Sequence, residues 1–175
     1  MKINFERKLY EDIAKLSFYD EKENLMFIGA DIEGEFVNAK SSTFKWFTPK
    51  ELKTQDENTV IANVGDVAEA IKQVINKGAD AIIAIFTHPS KVKQEDWVYA
   101  SLSDDDYRSS KNIELMCNIQ GLKFYACVAT CERLYFWHLD DKSLKPVQLE
   151  CYVNGTNVTR KVPSTLEEIV KKLQS

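Results

Sequence analysis

The sequence predicts a single α/β domain with a central mixed β-sheet flanked by helices. Three observations predict it: a short apolar run at residues 25–28, a second run at 81–86 that is apolar on both faces, and amphipathic helical stripes before and between them. A strand that is apolar on both faces belongs in the middle of a covered sheet. The 175 residues are 44% hydrophobic and 29% charged, which is enough for one full-sized core.

The first half of the chain is predicted to contain two helices and three strands. Apolar side chains spaced by four, four and three residues form one stripe on an amino-terminal helix: Phe5, Leu9, Ile13 and Leu16. A hairpin is expected over residues 25–37, an irregular connection over 38–58 and a strand over 60–62. Asp66 can cap the second helix, which is expected to run to about residue 77.

The middle of the chain carries the predicted central strand and a third helix. The strand at 81–86 ends abruptly at Thr87-His88-Pro89. Ser103 followed by Asp104-Asp105-Asp106 is typical of a helix amino terminus, because a hydroxyl can cap it and acids favour its dipole. Two aromatic and β-branched strands are expected next, at 124–129 and 134–139.

The carboxyl-terminal part, residues 140–175, is predicted to extend a single domain that spans 1–175. A strand at 148–153 precedes Asn154-Gly155, a strong hairpin turn. A capping box at 163–167 opens a last helix, whose apolar side chains are expected to point inward: Leu166, Ile169, Val170 and Leu173. The predicted element order is α-β-β-β-α-β-α-β-β-β-β-α.

Charge and composition exclude several classes of function. The formal net charge is −4 and the basic residues are scattered, so no surface for nucleic acid is expected. The amino terminus is charged at once and no apolar run reaches membrane-spanning length, so we expect a cytoplasmic protein that does not bind membranes. Four cysteines lie in apolar stretches without paired metal spacing and are expected to be reduced core residues: Cys117, Cys127, Cys131 and Cys151.

Only two histidines are available for chemistry. His88 lies where a buried strand meets a loop, which is where open α/β sheets place ligands and catalytic groups; the alternative is a structural histidine bonded to a neighbour. His138, beside Asp140 at the end of an aromatic strand, is interpreted as structural.

The order of these motifs resembles the JAB/MPN family, also called JAMM metalloproteases. Phe86-Thr87-His88-Pro89 is similar to the family's His-x-His-Pro, and Ser101-Leu102-Ser103-Asp104 to its Ser-x-x-Asp. The resemblance implies a cytidine-deaminase-like layering of sheet and helices. It also implies His88 and Asp104 as zinc ligands, Ser101 as support for the bound water or oxyanion, and Glu23 or Glu21 as the base. Asp106 is an alternative to Asp104, because Ser103 begins a second Ser-x-x-Asp.

One departure from the family pattern decides the functional prediction. Phe86 stands where the first metal-binding histidine is expected, and residues i and i+2 of a strand share a face. Catalytic zinc normally takes three protein ligands, so His88 and Asp104 alone predict weak binding. We therefore predict a domain without cofactor or peptidase activity that serves as a binding or scaffold module.

Two alternatives remain open at this point. One is an active zinc metallohydrolase, an isopeptidase or peptidase, whose site a cysteine thiolate or His138 completes; the other is an α/β domain of unrelated function. For a binding module, the resemblance implies a ubiquitin-like protein or a larger complex as partner. The candidate contact surface is the aromatic segment of Phe44, Trp46 and Phe47, unless these side chains fold back into the core.

Overall fold

The computed structural model describes residues 1–89, 96–130, 133–139, 145–163 and 165–174. The elements of the first part are β1 (Lys2–Phe5), α1 (Arg7–Tyr19), β2 (Leu25–Glu33), β3 (Phe36–Ala39), β4 (Lys45–Trp46), β5 (Leu52–Gln55), β6 (Val60–Ala62) and α2 (Val64–Asn76). The second part contains β7 (Ala81–Thr87), α3 (Asp104–Ile119), β8 (Lys123–Thr130), β9 (Arg133–His138), β10 (Val147–Val153), β11 (Thr156–Asn157) and α4 (Leu166–Leu173). Three short 3-10 turns lie at Ser41–Thr43, Pro49–Glu51 and Asp96–Tyr99.

Seven strands form a closed barrel within a mixed α/β fold. They follow one another in the order β1-β3-β2-β7-β8-β9-β10, and β10 pairs with β1 to close the ring. The pairings β7–β8, β1–β3 and β1–β10 are parallel, whereas the other neighbours in the ring are antiparallel. The predicted mixed α/β class is confirmed, and the closure of the sheet is an addition to it.

Each face of the sheet has its own core because side chains alternate along a strand. All seven barrel strands contribute to one cluster, which Ile13 and Ala14 of α1 join, so this cluster fills the barrel. The opposite face carries Phe86, Phe124 and Trp137, and it is covered by α2 and α3. The central strand β7 is buried along its whole length, as its sequence predicts.

The amino terminus differs from its prediction. Phe5 belongs to β1 and not to the first helix, which starts at Arg7. The residues Lys2-Ile3-Asn4-Phe5 alternate between half-buried and buried, which is the two-residue period of a strand. Phe5 fits this period and also the helical spacing to Leu9, so the local pattern alone is ambiguous. Pairing with two distant strands decides between them, since β1 lies between β3 and β10.

The carboxyl-terminal elements also differ in one respect. Strand β10 is an integral part of the barrel, and Asn154-Gly155 makes the expected turn with positive φ at both residues. Helix α4 forms where predicted, with Thr165 accepting a hydrogen bond from the Glu168 amide. Three of its four apolar side chains, Leu166, Val170 and Leu173, are exposed, however, and only Ile169 is half-buried. The inward orientation was therefore a wrong prediction.

The aromatic segment is divided between core and surface. Phe47 is fully buried and its ring meets that of Phe27 edge-on at 4.8 Å. Trp46 packs partly against the barrel core, and Phe44 is 37% exposed. The segment at 38–58 is also more regular than expected, since it holds β4 and β5. Most of the aromatic surface of this segment is therefore packed against the core and is not available to a partner.

Two further sequence predictions concern cysteines and membranes. Cys117, Cys127 and Cys151 are buried free thiols, as expected, and burial raises the pKa of Cys117 and Cys151 to about 12. Cys131 lies outside the described residues. Across the described part of the chain, no helix has the length and apolarity needed to span a membrane.

Candidate functional site: a buried Glu-His-Asp cluster

Glu23 is positioned by the register of two neighbouring strands. Strand β2 pairs antiparallel with β7 so that Leu25 lies opposite Phe86. The pairing continues beyond the strand, because Thr87 accepts a hydrogen bond from the Asn24 amide at 2.7 Å through its hydroxyl and donates its own amide to the Asn24 carbonyl at 3.0 Å. The next pair in this ladder is Glu23 and His88. The register thus brings two residues 65 positions apart in the sequence to the same end of the sheet.

The polypeptide around Glu23 is held by the connection that follows β5. The Glu23 amide donates to the Asp56 carbonyl at 2.9 Å, and the Gln55 side-chain amide donates to the Glu23 carbonyl at 3.0 Å. The Glu23 side chain is consequently buried, with 4% of the residue exposed.

His88 is held on three sides. Its amide donates to the Ala129 carbonyl of β8, which fixes the backbone. Its Nδ1 lies 2.6 Å from the Tyr99 carbonyl oxygen and its Nε2 lies 2.6 Å from Asp106 Oδ2. Both partners are acceptors when Asp106 is ionised, so the doubly protonated imidazolium satisfies both contacts. Glu23 Oε1 lies 3.9 Å from the same Nε2.

Asp106 reaches the cluster from the first turn of α3. The Ser103 hydroxyl caps this helix and accepts a hydrogen bond from the Asp106 amide at 3.1 Å. The capping fixes the start of the helix, and Asp106 at the third helical position then faces the sheet with no exposed surface. Its carboxylate also lies at the positive end of the helix dipole.

The cluster shifts the protonation of two of its members. Burial raises the pKa of Glu23 to about 8, the charge of Asp106 adds to the rise, and His88 opposes it. Burial acts to lower the pKa of His88, but the hydrogen bond and charge of Asp106 outweigh it, so the net change is a rise. At pH 7 Glu23 is therefore largely protonated, and its neighbour Asp106 favours the charged form of His88.

Two oxygens of the cluster have no hydrogen-bond partner among the described residues: Glu23 Oε2 and Asp106 Oδ1. Buried polar atoms are normally paired, and a water or an ion can supply the partner. One ligand atom from each of Glu23, His88 and Asp106 lies within 4.8 Å of the others. One imidazole nitrogen with carboxylate oxygens is a donor set that zinc and other divalent transition metals accept.

The residues predicted from the sequence are only partly brought together. The cluster contains His88, Glu23 and Asp106, the alternative acidic residue. Asp104 is exposed at the start of α3, because it lies two residues earlier on the helix and points away from the sheet. Ser101 is exposed as well, in the wall of a separate pocket of 490 Å³.

Three other residues complete this comparison. Glu21 is exposed, so of the two candidate glutamates the structure brings only Glu23 to the cluster. His138 is exposed at the end of β9, with its ring 6.3 Å from that of Tyr125. Sequence reasoning missed the Tyr99 carbonyl, since a backbone acceptor leaves no mark in the amino-acid pattern.

The comparisons with known proteins found similarity to solved structures alone. No family model matches the chain, and no curated protein is similar to it by sequence. Among solved structures, the chain is similar to the solution structure of a protein from Salinibacter ruber (strain DSM 13855), with a TM-score of 0.46 and 9% identity. That likeness covers 92% of this chain and 98% of the other.

Proposed function

We propose that this chain is a JAB/MPN-like domain that has lost zinc-peptidase chemistry and acts as a binding or scaffold module for a protein partner. One observation carries the proposal: Phe86, at the place of the first histidine, is fully buried in the core between the sheet and its covering helices. A phenyl ring offers no ligand atom. The space in which the resemblance expects an imidazole is therefore filled with packed hydrocarbon.

The convergence of the motif residues supports the JAB/MPN-like arrangement. A glutamate before β2, a histidine after β7 and an aspartate at the start of α3 meet at one point, as the resemblance implies. Asp106 corresponds to the aspartate of the family's Ser-x-x-Asp motif, and Ser103 to its serine.

The number of available groups supports the loss of peptidase chemistry. A zinc peptidase needs three protein ligands, a water and a separate base to activate that water. Among the described residues the cluster has three such groups, Glu23, His88 and Asp106, so within this set Glu23 can be a ligand or a base but not both. In addition, Asp106 and the Tyr99 carbonyl already engage both nitrogens of His88.

A second candidate function is divalent-cation binding with Glu23 as the third ligand. The observation that favours it is the pair of orphaned oxygens on Glu23 and Asp106. The Nδ1 contact of His88 with the Tyr99 carbonyl is also typical of histidine ligands, which usually donate their other N–H to an acceptor. When bound, a zinc ion would supply Lewis-acid chemistry. It would also need the protons of Glu23 and His88 to leave, because ligands bind deprotonated.

Zinc titration of the purified protein separates the two candidates. Under the scaffold proposal, protein that is equilibrated with zinc and dialysed retains much less than one zinc per chain by elemental analysis. About one zinc per chain, lost in both His88→Ala and Glu23→Gln, would instead establish the cation site. Calorimetric titration in two buffers of different ionisation enthalpy counts the released protons, and release at pH 7 is expected for the cation site because Glu23 is largely protonated there.

The substitution Phe86→His tests the JAB/MPN-like arrangement itself. It adds the missing imidazole on the face shared with His88, so zinc affinity should rise by orders of magnitude and zinc should raise the melting temperature. The matched control is Phe124→His, because Phe124 is buried in the same core but lies opposite Ile82, at the far end of β7. Equal responses to zinc in both variants, or none in either, would count against the arrangement.

A further inference from the structure

Helix α4 turns three large apolar side chains to the surface of the described part of the chain. The exposed fractions are 78% for Leu166, 44% for Val170 and 66% for Leu173, and Ile169, at the edge of the same stripe, is half-buried. An amphipathic helix normally turns such a stripe toward a core. The polar flank of α4, with Lys171 and Lys172, instead lines a surface pocket with Lys161 and Pro163. The helix thus lies with its apolar face outward.

The sequence of α4, Leu-Glu-Glu-Ile-Val-Lys-Lys-Leu, is symmetric in hydrophobicity and antisymmetric in charge about its centre. An antiparallel copy of the same helix therefore places Leu166 beside Leu173 and Ile169 beside Val170. It also places the acidic first turn of each helix beside the basic last turn of the other. A parallel copy would place like charges together, which is destabilising.

We propose that the chain forms a homodimer in which α4 pairs antiparallel with α4 of a second copy. A twofold axis perpendicular to both helices generates this contact, and such isologous interfaces are the commonest in soluble oligomers. Within it, the exposed Glu167 of each copy lies near the exposed Lys171 of the other, because both belong to the same flank of the helix. The helix dipoles are also antiparallel, which is the favourable orientation.

The position of α4 on the fold allows this contact. Residues 158–162 run back along β10, held by hydrogen bonds such as Val158 amide to the Cys151 carbonyl and Val162 amide to the Gln148 side chain. The chain therefore enters α4 beside the start of β10. Val147, which is 47% exposed there, lines a pocket with Pro163, which lies shortly before the helix.

The size of the seam sets the expected strength of the dimer. Each copy contributes four apolar side chains over two helical turns, so the buried area is at the small end of the range for specific interfaces. We therefore expect a dissociation constant on the order of 10 μM to 1 mM. Charge pairs at a solvent-exposed seam are screened by salt, so the dimer should weaken as ionic strength rises.

Sedimentation equilibrium of the full chain at low salt, over protein concentrations up to about 1 mM, tests the proposal. Leu173→Glu should weaken the dimer at least tenfold without changing the far-UV circular dichroism, because Leu173 is exposed in the monomer. The matched control is Leu115→Glu, because this leucine is 61% exposed on a different helix, α3. That control should leave the dimer intact.

Charge reversal tests the antiparallel orientation. Glu167→Lys and Lys171→Glu should each weaken self-association, whereas an equimolar mixture of the two variants should associate at least as tightly as the wild type. A monomer at all concentrations would overturn the proposal, as would a dimer that Leu115→Glu disrupts and Leu173→Glu does not. A dimer whose charge variants fail to rescue each other would overturn the antiparallel pairing.

Discussion

The ionisation of Glu23 offers a direct test of the site as a metal-free polar cluster. Its pKa of about 8 lies above the value of 4.5 expected in the unfolded chain, with burial as the main cause. The folded protein therefore favours protonated Glu23. The stability that this provides is complete below pH 4.5 and is lost as the pH rises toward 8. Glu23→Gln keeps the shape of the protonated side chain and cannot ionise.

The size of the effect follows from the two pKa values. Each unit of pKa difference corresponds to about 1.4 kcal/mol of differential stability once the pH lies between the two values. At pH 7 the mutant should be more stable than the wild type by about 3 kcal/mol, and at pH 5 by only about 1 kcal/mol. Most single substitutions destabilise a protein, so a gain of this size at neutral pH would be diagnostic.

Chemical denaturation at both pH values, in the presence of a chelator, measures this difference. Glu57→Gln is the matched control, because Glu57 is exposed on the connection that holds Glu23 and its substitution should change little. If Glu23→Gln raises the free energy of unfolding by the same amount at pH 5 and pH 7, the reasoning is refuted. So would a loss of stability at pH 7, which would mean that the fold requires an ionised Glu23.

Three further predictions concern packing and the ion pair. Asp106→Asn removes the charged partner of His88, so stability should fall by about 3 kcal/mol and the pKa of His88 should drop, which histidine NMR titration measures easily with only two histidines in the chain. Gly29→Ala should lower the free energy of unfolding by about 1–3 kcal/mol in thermal denaturation, because the new Cβ would lie 2.9 Å from three side-chain atoms. Its control is Gly65→Ala, whose new Cβ meets nothing within 4 Å and which should be neutral or stabilising. Thr43→Val removes the buried hydroxyl that accepts from the Gly29 amide at 2.7 Å, so denaturant unfolding should reveal a loss of about 2 kcal/mol.

Local patterns predicted most of the elements well. The central strand, the capped third helix and the hairpin at residues 25–37 were each indicated by a pattern only a few residues long, and each is confirmed with small changes of boundary. Such patterns work because periodicity, capping and turn chemistry act between neighbours in the sequence. They failed where a distant partner decides, as for Phe5 in β1, whose two neighbours are strands over 30 and over 140 residues away.

The choice among the acidic residues shows the same limit. Both Asp104 and Asp106 satisfy a Ser-x-x-Asp spacing, and only the phase of α3 against the sheet decides which of them meets His88. Likewise, Glu21 and Glu23 both precede β2, and the register with β7 decides between them.

By itself, the sequence determined the α/β class, the strand that ends just before His88, and the capped helix that carries the acidic run. It also determined that position 86, on the same strand face as His88, holds a phenylalanine and not a histidine. Only the tertiary structure decided that the sheet closes into a barrel, that Glu23 and Asp106 are the partners of His88, and that α4 turns its apolar face outward. The reason is physical: periodicity and capping are set over a few residues, whereas register, helix phase and the covering of a face depend on contacts between distant segments.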